Sequence, residues 1–347
     1  MIAKLLLALA FCASFAAAQQ TTRFVAIEGH VLSIAKTGMP REVLYIPPVG
    51  FKLKYGTTDA ILSPDQHWIA YIRDHNAWIV PSKQQKTSGG DAVKVSTQGI
   101  AGSGDLAPID AYLVSFSDDS KSLMYSIAPG TVDTDQPGVR HPKARPADYG
   151  YFLYTISGAK TEKMQLPGNI RPHRLLTPEH LFITEVGDYG DQFGLLTAAG
   201  AKDDFFAFAK TCAQALECDL AQDGSAAACT SVKQGHSQIF HCGVANGSAD
   251  AVSAAGTCLN EFRRPQLSPD GKHTAYIRTP GNCSSKSKEL WIDATSIYSC
   301  ADYREYAWID DDRLAIRCGN SIAISDLHGR RLGVIAVKDA PPSEPDK

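Results

Sequence analysis

The sequence predicts an all-β protein: a β-propeller of six four-stranded antiparallel blades, with seven as the alternative count. Three observations predict it. Ser63-Pro64-Asp65-Gln66 leads into His67-Trp68-Ile69-Ala70-Tyr71-Ile72-Arg73, and Ser268-Pro269-Asp270-Gly271 leads into Lys272-His273-Thr274-Ala275-Tyr276-Ile277-Arg278. The same turn recurs in weaker form between these copies and after them. Helical periodicity is nearly absent, at most a turn or two near Asp203 to Ala215. A repeated turn and strand define an architecture before any single residue is interpreted.

The residue types in the turn have a physical reason. Ser or Asp bonds the backbone two residues on, Pro presets φ, and Gly tolerates the positive φ that closes the turn. Weaker copies are Ser117-Asp118-Asp119-Ser120 before Leu123-Met124-Tyr125, Thr177-Pro178-Glu179-His180 before Leu181-Phe182-Ile183, and Asp310-Asp311-Asp312 before Leu314-Ala315-Ile316. The apolar residues after each turn enter a buried strand. Further strands follow: Ala77 to Val80, Glu289 to Asp293, Ser321 to Ser325 and Leu332 to Ile335. A lone four-stranded meander leaves both faces exposed, whereas radial arrangement buries them between neighbours.

Successive turns start 54 (63 to 117), 60 (117 to 177), 91 (177 to 268) and 41 (268 to 309) residues apart. The third interval accommodates a complete unit, or the end of one plus an insertion. His30 to Ile34 and Glu42 to Ile46 mirror the last strand pair, so a short blade opens the chain. One partial and five full units make six. The expected organisation is a signal peptide over 1–18, a propeller over 19–338 with a Cys-rich insertion at about 211–258, and a polar tail over 339–347.

Lys4, the apolar run Leu5 to Phe11 and the small residues Ala16-Ala17-Ala18 read as an export signal cleaved near Ala18. Without it, 33 Lys and Arg stand against 37 Asp and Glu, a net charge of −4. That balance gives no electrostatic basis for nucleic-acid binding. No later segment is apolar enough for a membrane helix. The expected location is the periplasm or the extracellular medium.

Eight cysteines remain after Cys12, all in the C-terminal half. An even number in an exported chain favours disulfides. In a blade the start of strand A lies beside the end of strand B. Cys300 and Cys318 take those places in the last blade, and Cys258 and Cys283 one blade earlier, so those pairs are expected to bond. Cys229 and Cys242 flank a hairpin turning near Gly235, which leaves Cys212 with Cys218.

Ser268-Pro269-Asp270-Gly271 with Ala275-Tyr276, and its near copy at Ser63 to Tyr71, resemble the TolB-like propeller family. The resemblance covers most of 24–337 and implies the fold. It does not extend to the α/β domain that precedes the propeller in that family, so it does not imply the role of the Tol-system component. Arg140-His141-Pro142-Lys143-Ala144-Arg145, followed by Tyr151 to Ile156, is similar to a loop in the propeller of dipeptidyl-peptidase-type prolyl oligopeptidases. Those enzymes carry their serine on an α/β-hydrolase domain, which is not expected here. Gly235-His236-Ser237-Gln238-Ile239 lacks the closing glycine of a nucleophile elbow, and no catalytic serine is assigned.

The loop from Pro129 to Tyr149 is the leading site candidate. It concentrates Arg140, His141, Lys143 and Arg145 in an acidic protein and suits an anionic ligand or an acidic patch on a partner. Arg263 and Arg264 either point into the central channel, to bind carboxylates, or bridge to a neighbouring blade. Asp133, Asp135, Asp188 and Asp191 supply oxygens of the kind calcium prefers, but neither spacing completes a calcium loop. No zinc spacing is present, and no cofactor is expected. Trp68, Trp78, Trp291 and Trp308 occupy strand positions suited to packing between blades. The functional expectation is an exported, non-enzymatic scaffold that binds a protein or peptide in the bacterial envelope. The alternative is a propeller-type hydrolase or lyase with a metal-dependent site at the channel.

Overall fold

The structure is a computed structural model describing residues 23–27, 30–35, 39–45, 60–82, 92–100, 108–129, 149–177, 180–187, 191–197, 206–207, 210–244 and 246–337. The signal segment, the tail, Arg140, His141, Lys143, Arg145, Asp133, Asp135 and Asp188 lie outside the described residues.

Six antiparallel sheets have four strands each, in meander order. A three-stranded sheet opens the chain, with β1 (Arg23–Ile27), β2 (His30–Ile34) and β3 (Pro40–Tyr45). Blade I contains β4 (Ala60–Leu62), β5 (Trp68–Arg73), β6 (Asn76–Pro81) and β7 (Val93–Lys94). Blade II contains β8 (Ile109–Phe116), β9 (Ser122–Pro129), β10 (Gly150–Thr155) and β11 (Lys160–Lys163). Blade III contains β12 (Ile170–Thr177), β13 (His180–Glu185), β14 (Gln192–Thr197) and β15 (Phe206–Ala207). A one-turn helix, α1 (Lys210–Ala213), precedes blade IV, which contains β16 (Glu217–Leu220), β17 (Ala226–Lys233), β18 (His236–Gly243) and β19 (Ala249–Ala251). Blade V contains β20 (Phe262–Leu267), β21 (Thr274–Arg278), β22 (Lys288–Ile292) and β23 (Thr295–Cys300). Blade VI contains β24 (Tyr303–Asp310), β25 (Arg313–Cys318), β26 (Ser321–Asp326) and β27 (Arg331–Ala336).

The propeller therefore has six four-stranded blades, and the opening sheet is an additional wedge between blades VI and I. The sequence count included that sheet among the six. The difference lies in the 91-residue interval, where the Cys-rich stretch forms a complete blade at Glu217 to Ala251. Counting the opening sheet gives the alternative of seven.

Period-two alternation sends successive residues of one strand to opposite seams. Ala70 and Ile72 pack toward blade II, whereas Ile69 and Tyr71 pack toward the opening sheet. Leu123 and Tyr125 face blade I, and Met124 faces blade III. Leu314 and Ile316 face blade V, while Ala315 joins Val25, Ile27, Leu32 and Ile34 of the opening sheet. Both faces are buried, which explains the continuous apolar runs of the second strands. The four tryptophans pack against these inter-blade cores, as their positions suggested.

The turn works as its residue types require, and identically in three blades. Ser63, Ser117 and Ser268 donate Oγ–H to Asp65, Asp119 and Asp270 at 2.5, 2.7 and 2.7 Å. The same Oγ atoms accept the N–H of Trp68, Ser122 and His273 at 2.9, 3.0 and 3.0 Å. The closing residues Gln66, Ser120 and Gly271 have φ of 61°, 60° and 71°. A left-handed φ costs a side-chain-bearing residue about 1 kcal/mol, so the bonding around the serine offsets strain in the first two turns.

The disulfides join Cys258 to Cys283, Cys300 to Cys318, Cys212 to Cys242 and Cys218 to Cys229. The first two are the expected pairs. The expected Cys229–Cys242 and Cys212–Cys218 pairs are replaced. The hairpin does turn at Gly235, but its register sets Cys229 opposite Phe240 and Cys242 opposite Ala227. Cys229 and Cys242 are thus diagonal neighbours, which are about 7–8 Å apart in a sheet. Cys218 lies directly opposite Cys229, with a Cα separation of 4.2 Å. Cys242 is reached instead by Cys212 of α1, which pins the helix onto the blade.

Candidate functional site: the channel mouth

The first strands of blades I to VI form the inner wall, and their ends bring the polar turns to one end of the channel. β1 completes the wall in the opposite direction. Its Phe24 N–H reaches Gln66 Oε1 in the β4–β5 turn at 3.0 Å, and Arg313 of the β24–β25 turn donates to Ala35 O at 2.9 Å. At this end lies a cavity of about 880 Å³, lined by β1 and by the innermost strand of every four-stranded blade.

Polar bonds cross the seams around it. Asp65 N–H donates to Ser120 Oγ at 2.9 Å, and Leu175 N–H to Ser115 Oγ at 2.8 Å. Arg174 joins three blades. Its Nε and Nη2 donate to Asp118 Oδ1 at 3.1 and 2.8 Å, and its Nη1 donates to Leu220 O at 2.6 Å. Burial raises the Asp118 carboxyl above its ordinary range, because desolvation outweighs the attraction of Arg174. Asp219 accepts the Leu267 N–H at 2.8 Å, joining blade IV to blade V. Enclosure by protein raises its pKa also, although the residue keeps some accessible surface as part of the cavity wall.

His173 occupies a bulge, since Pro172 pairs with Ile183 and Arg174 already pairs with Phe182. Its Nε2 lies 2.6 Å from Thr184 Oγ1, and its ring is 5.5 Å from both Phe182 and Phe193. Desolvation, then the nearby Arg171, lowers its pKa. The rest of the mouth mixes the exposed Gln222 and Pro269 with partly buried Pro64, Gln266 and Trp308.

Two of the sequence candidates, Arg263 and Arg264, lie elsewhere. Arg263 and Arg264 begin β20, at the far end of the channel from the turns. Arg263 Nε and Nη2 donate to Glu217 Oε1 at 3.1 and 2.6 Å. Arg264 donates its N–H to Glu217 Oε2 at 2.6 Å and its Nη1 to Arg304 O at 2.9 Å. Both bridge to neighbouring blades, the second of the two roles weighed for them. Pro129 and Tyr149, which flank the basic loop, also stand at that far end, because β9 runs away from its turn. Ser237 is buried in β18, donating to Cys258 O at 3.1 Å and accepting the Phe262 N–H at 3.0 Å, so it has no elbow geometry. Among the described residues no group of three or more His, Cys, Asp or Glu converges to hold a metal, and no helix is long and apolar enough to cross a membrane.

No family model and no curated protein matches the sequence. Solved structures do. A crystal structure of TolB from Acinetobacter baumannii aligns at 14% identity over 89% of this chain and 77% of that one, with a TM-score of 0.47. Porphyromonas gingivalis dipeptidyl peptidase 4 aligns at 12% identity over 93% of this chain and 60% of that one, with a TM-score of 0.51. Oligogalacturonate lyase in complex with manganese aligns at 11% identity over 87% and 81%, with a TM-score of 0.52. All are propeller proteins. At these identities the likeness to the two structures with TM-scores above 0.5 shows the fold and nothing finer.

Proposed function

We propose that the protein is an exported scaffold that binds a protein or peptide in the bacterial envelope, without catalysis, through the channel mouth. One observation carries the reading. The 880 Å³ cavity offers apolar Pro64, Pro269 and Trp308 beside the amides of Gln222 and Gln266; its Arg174, Asp118 and Asp219 are engaged in holding blades together, and Arg23 is its exposed charge. Apolar faces interspersed with amides suit an extended peptide segment. Four disulfides accord with an oxidising compartment. In this reading Arg140, His141, Lys143 and Arg145 supply a second, positively charged contact.

The test is site-specific photo-crosslinking in cells of the source organism, with the crosslinker at Gln222 and, as control, at the exposed Glu162 of β11. A single saturable adduct from Gln222 alone is the expected result. Equal adducts from both positions, or none from Gln222, would overturn the reading. A stoichiometric metal in the purified protein would instead favour the hydrolase or lyase alternative.

A further inference from the structure

The seam between blades III and IV contains a second cavity, of about 610 Å³, lined by Arg171, His173, Thr184, Asp191, Phe193, Gln214, Ala215 and Leu216. The chain leading through α1 into β16 creates it. Cys212–Cys242 holds the helix against blade IV, and Gln214 to Leu216 then face β12 and β14 across the gap. His173 lines this cavity and the channel mouth alike, and so separates them.

Its chemistry is specific. Phe193 and Ala215 form a buried apolar surface, and Leu216 remains 46% exposed beside them. Arg171 and Asp191 are both exposed, and neither has an ion-pair partner among the described residues, including each other. Thr184 is committed to His173, whereas Gln214 is exposed. One guanidinium, one carboxylate and an apolar floor in a single cavity complement a molecule carrying a carboxylate, an ammonium and an apolar group.

We propose that this seam cavity binds a free α-amino acid with an apolar side chain, its carboxylate on Arg171, its ammonium on Asp191 and its side chain against Phe193 and Leu216. A peptide terminus carries only one of the two charges and satisfies the cavity by half. The proposal does not depend on the channel-mouth reading.

Calorimetric titration of the full-length exported protein with L-phenylalanine tests it. The analogues are 3-phenylpropionate, which lacks the ammonium, and phenylalanine amide, which lacks the carboxylate. Saturable one-site binding of phenylalanine is expected, with each analogue weaker by about tenfold or more. Arg171→Gln should abolish the preference for phenylalanine over its amide, and Asp191→Asn the preference over 3-phenylpropionate. No saturable binding, or analogues that bind as tightly as phenylalanine, would overturn the proposal. So would variants with unchanged preferences. If a variant fails to fold, the analogue comparison on the unmodified protein still decides.

Discussion

Blades IV and V are neighbours with the same four-stranded plan, yet different chemistry holds them. Blade V enters its second strand through Ser268-Pro269-Asp270-Gly271, then Thr274-Ala275-Tyr276-Ile277, where large apolar residues fill both seams. Blade IV turns through Ala221-Gln222-Asp223-Gly224 and continues as Ala226-Ala227-Ala228-Cys229. The backbone is equivalent: Gly224 and Gly271 have φ of 72° and 71°, and each N–H bonds the carbonyl three residues back, at 3.0 and 2.8 Å. Blade V stabilises this shape with side-chain bonding and bulk. Three alanines bury little area, and blade IV adds two disulfides to its own strands, whereas Cys258–Cys283 of blade V lies outside its strands and Cys300–Cys318 links it to blade VI. Turn geometry is thus shared by blades IV and V, and the residues that enforce it differ.

The contrast is sharpened most by removing the cross-links. Replacing Cys212 and Cys242 together by serine should destabilise by about 3.5 kcal/mol, and replacing Cys218 and Cys229 by about 3 kcal/mol, from the loops each bond closes. Denaturant unfolding would measure both losses. Near-zero values for both would mean that packing, and not cross-linking, holds blade IV. Next in size is Arg174→Met, which separates blades II, III and IV at the channel. It should cost about 2–3 kcal/mol, because Asp118 loses its partner while partly buried. The same unfolding experiment checks it, and no change would remove the seam role of Arg174.

In blade V, Asp270→Ala with Gly271→Ala should cost about 1–3 kcal/mol. Asp223→Ala in blade IV should cost about 1 kcal/mol or less, since the Asp223 carboxylate bonds locally to Ser225, at 2.6 and 2.9 Å. Equal losses in the two blades would contradict the proposed difference in how they are held.

The smallest expected effect is a pH dependence. Hydrogen bonds from Lys272 and Ser268 lower the Asp270 carboxyl from 3.8 to about 2. A carboxyl depressed on folding stabilises above its unfolded value, and that contribution disappears as pH falls through the folded one. The difference in melting midpoint between the unmodified protein and Asp270→Asn should hold steady near neutrality and shrink from about pH 4 to about pH 2. A difference independent of pH would show that the carboxylate charge does not matter to the turn.

Legibility followed the same divide. Blades I and V announced themselves because Ser, Pro, Asp and Gly each have a distinct turn chemistry. The weaker Ser117-Asp118-Asp119-Ser120 was readable through its Ser and Asp, and its bonding matches the full signature. Blade IV was not recognised as a blade because Asp223-Gly224 alone is a common turn and an alanine-rich strand has little pattern. Its disulfides were mispaired because a two-residue shift in hairpin register is invisible in the spacing of cysteines. At the channel, Arg263 and Arg264 were conspicuous as a charged pair but serve the seams. Arg174, Asp118 and Asp219 each sit in or beside a strand, and their convergence depends on the ring closing. The one local signal was Arg171-Pro172-His173-Arg174, a charged run with a proline inside an otherwise apolar strand, which marks the bulge presenting His173.

Blade IV as a propeller blade, in the register that puts Cys218 opposite Cys229, is the centre of this account. Proteolytic peptide mapping of the unreduced protein, with thiol exchange blocked at acid pH, tests it most directly. Peptides linked through Cys218–Cys229 and Cys212–Cys242 are predicted. Recovery of Cys229–Cys242 and Cys212–Cys218 would contradict it.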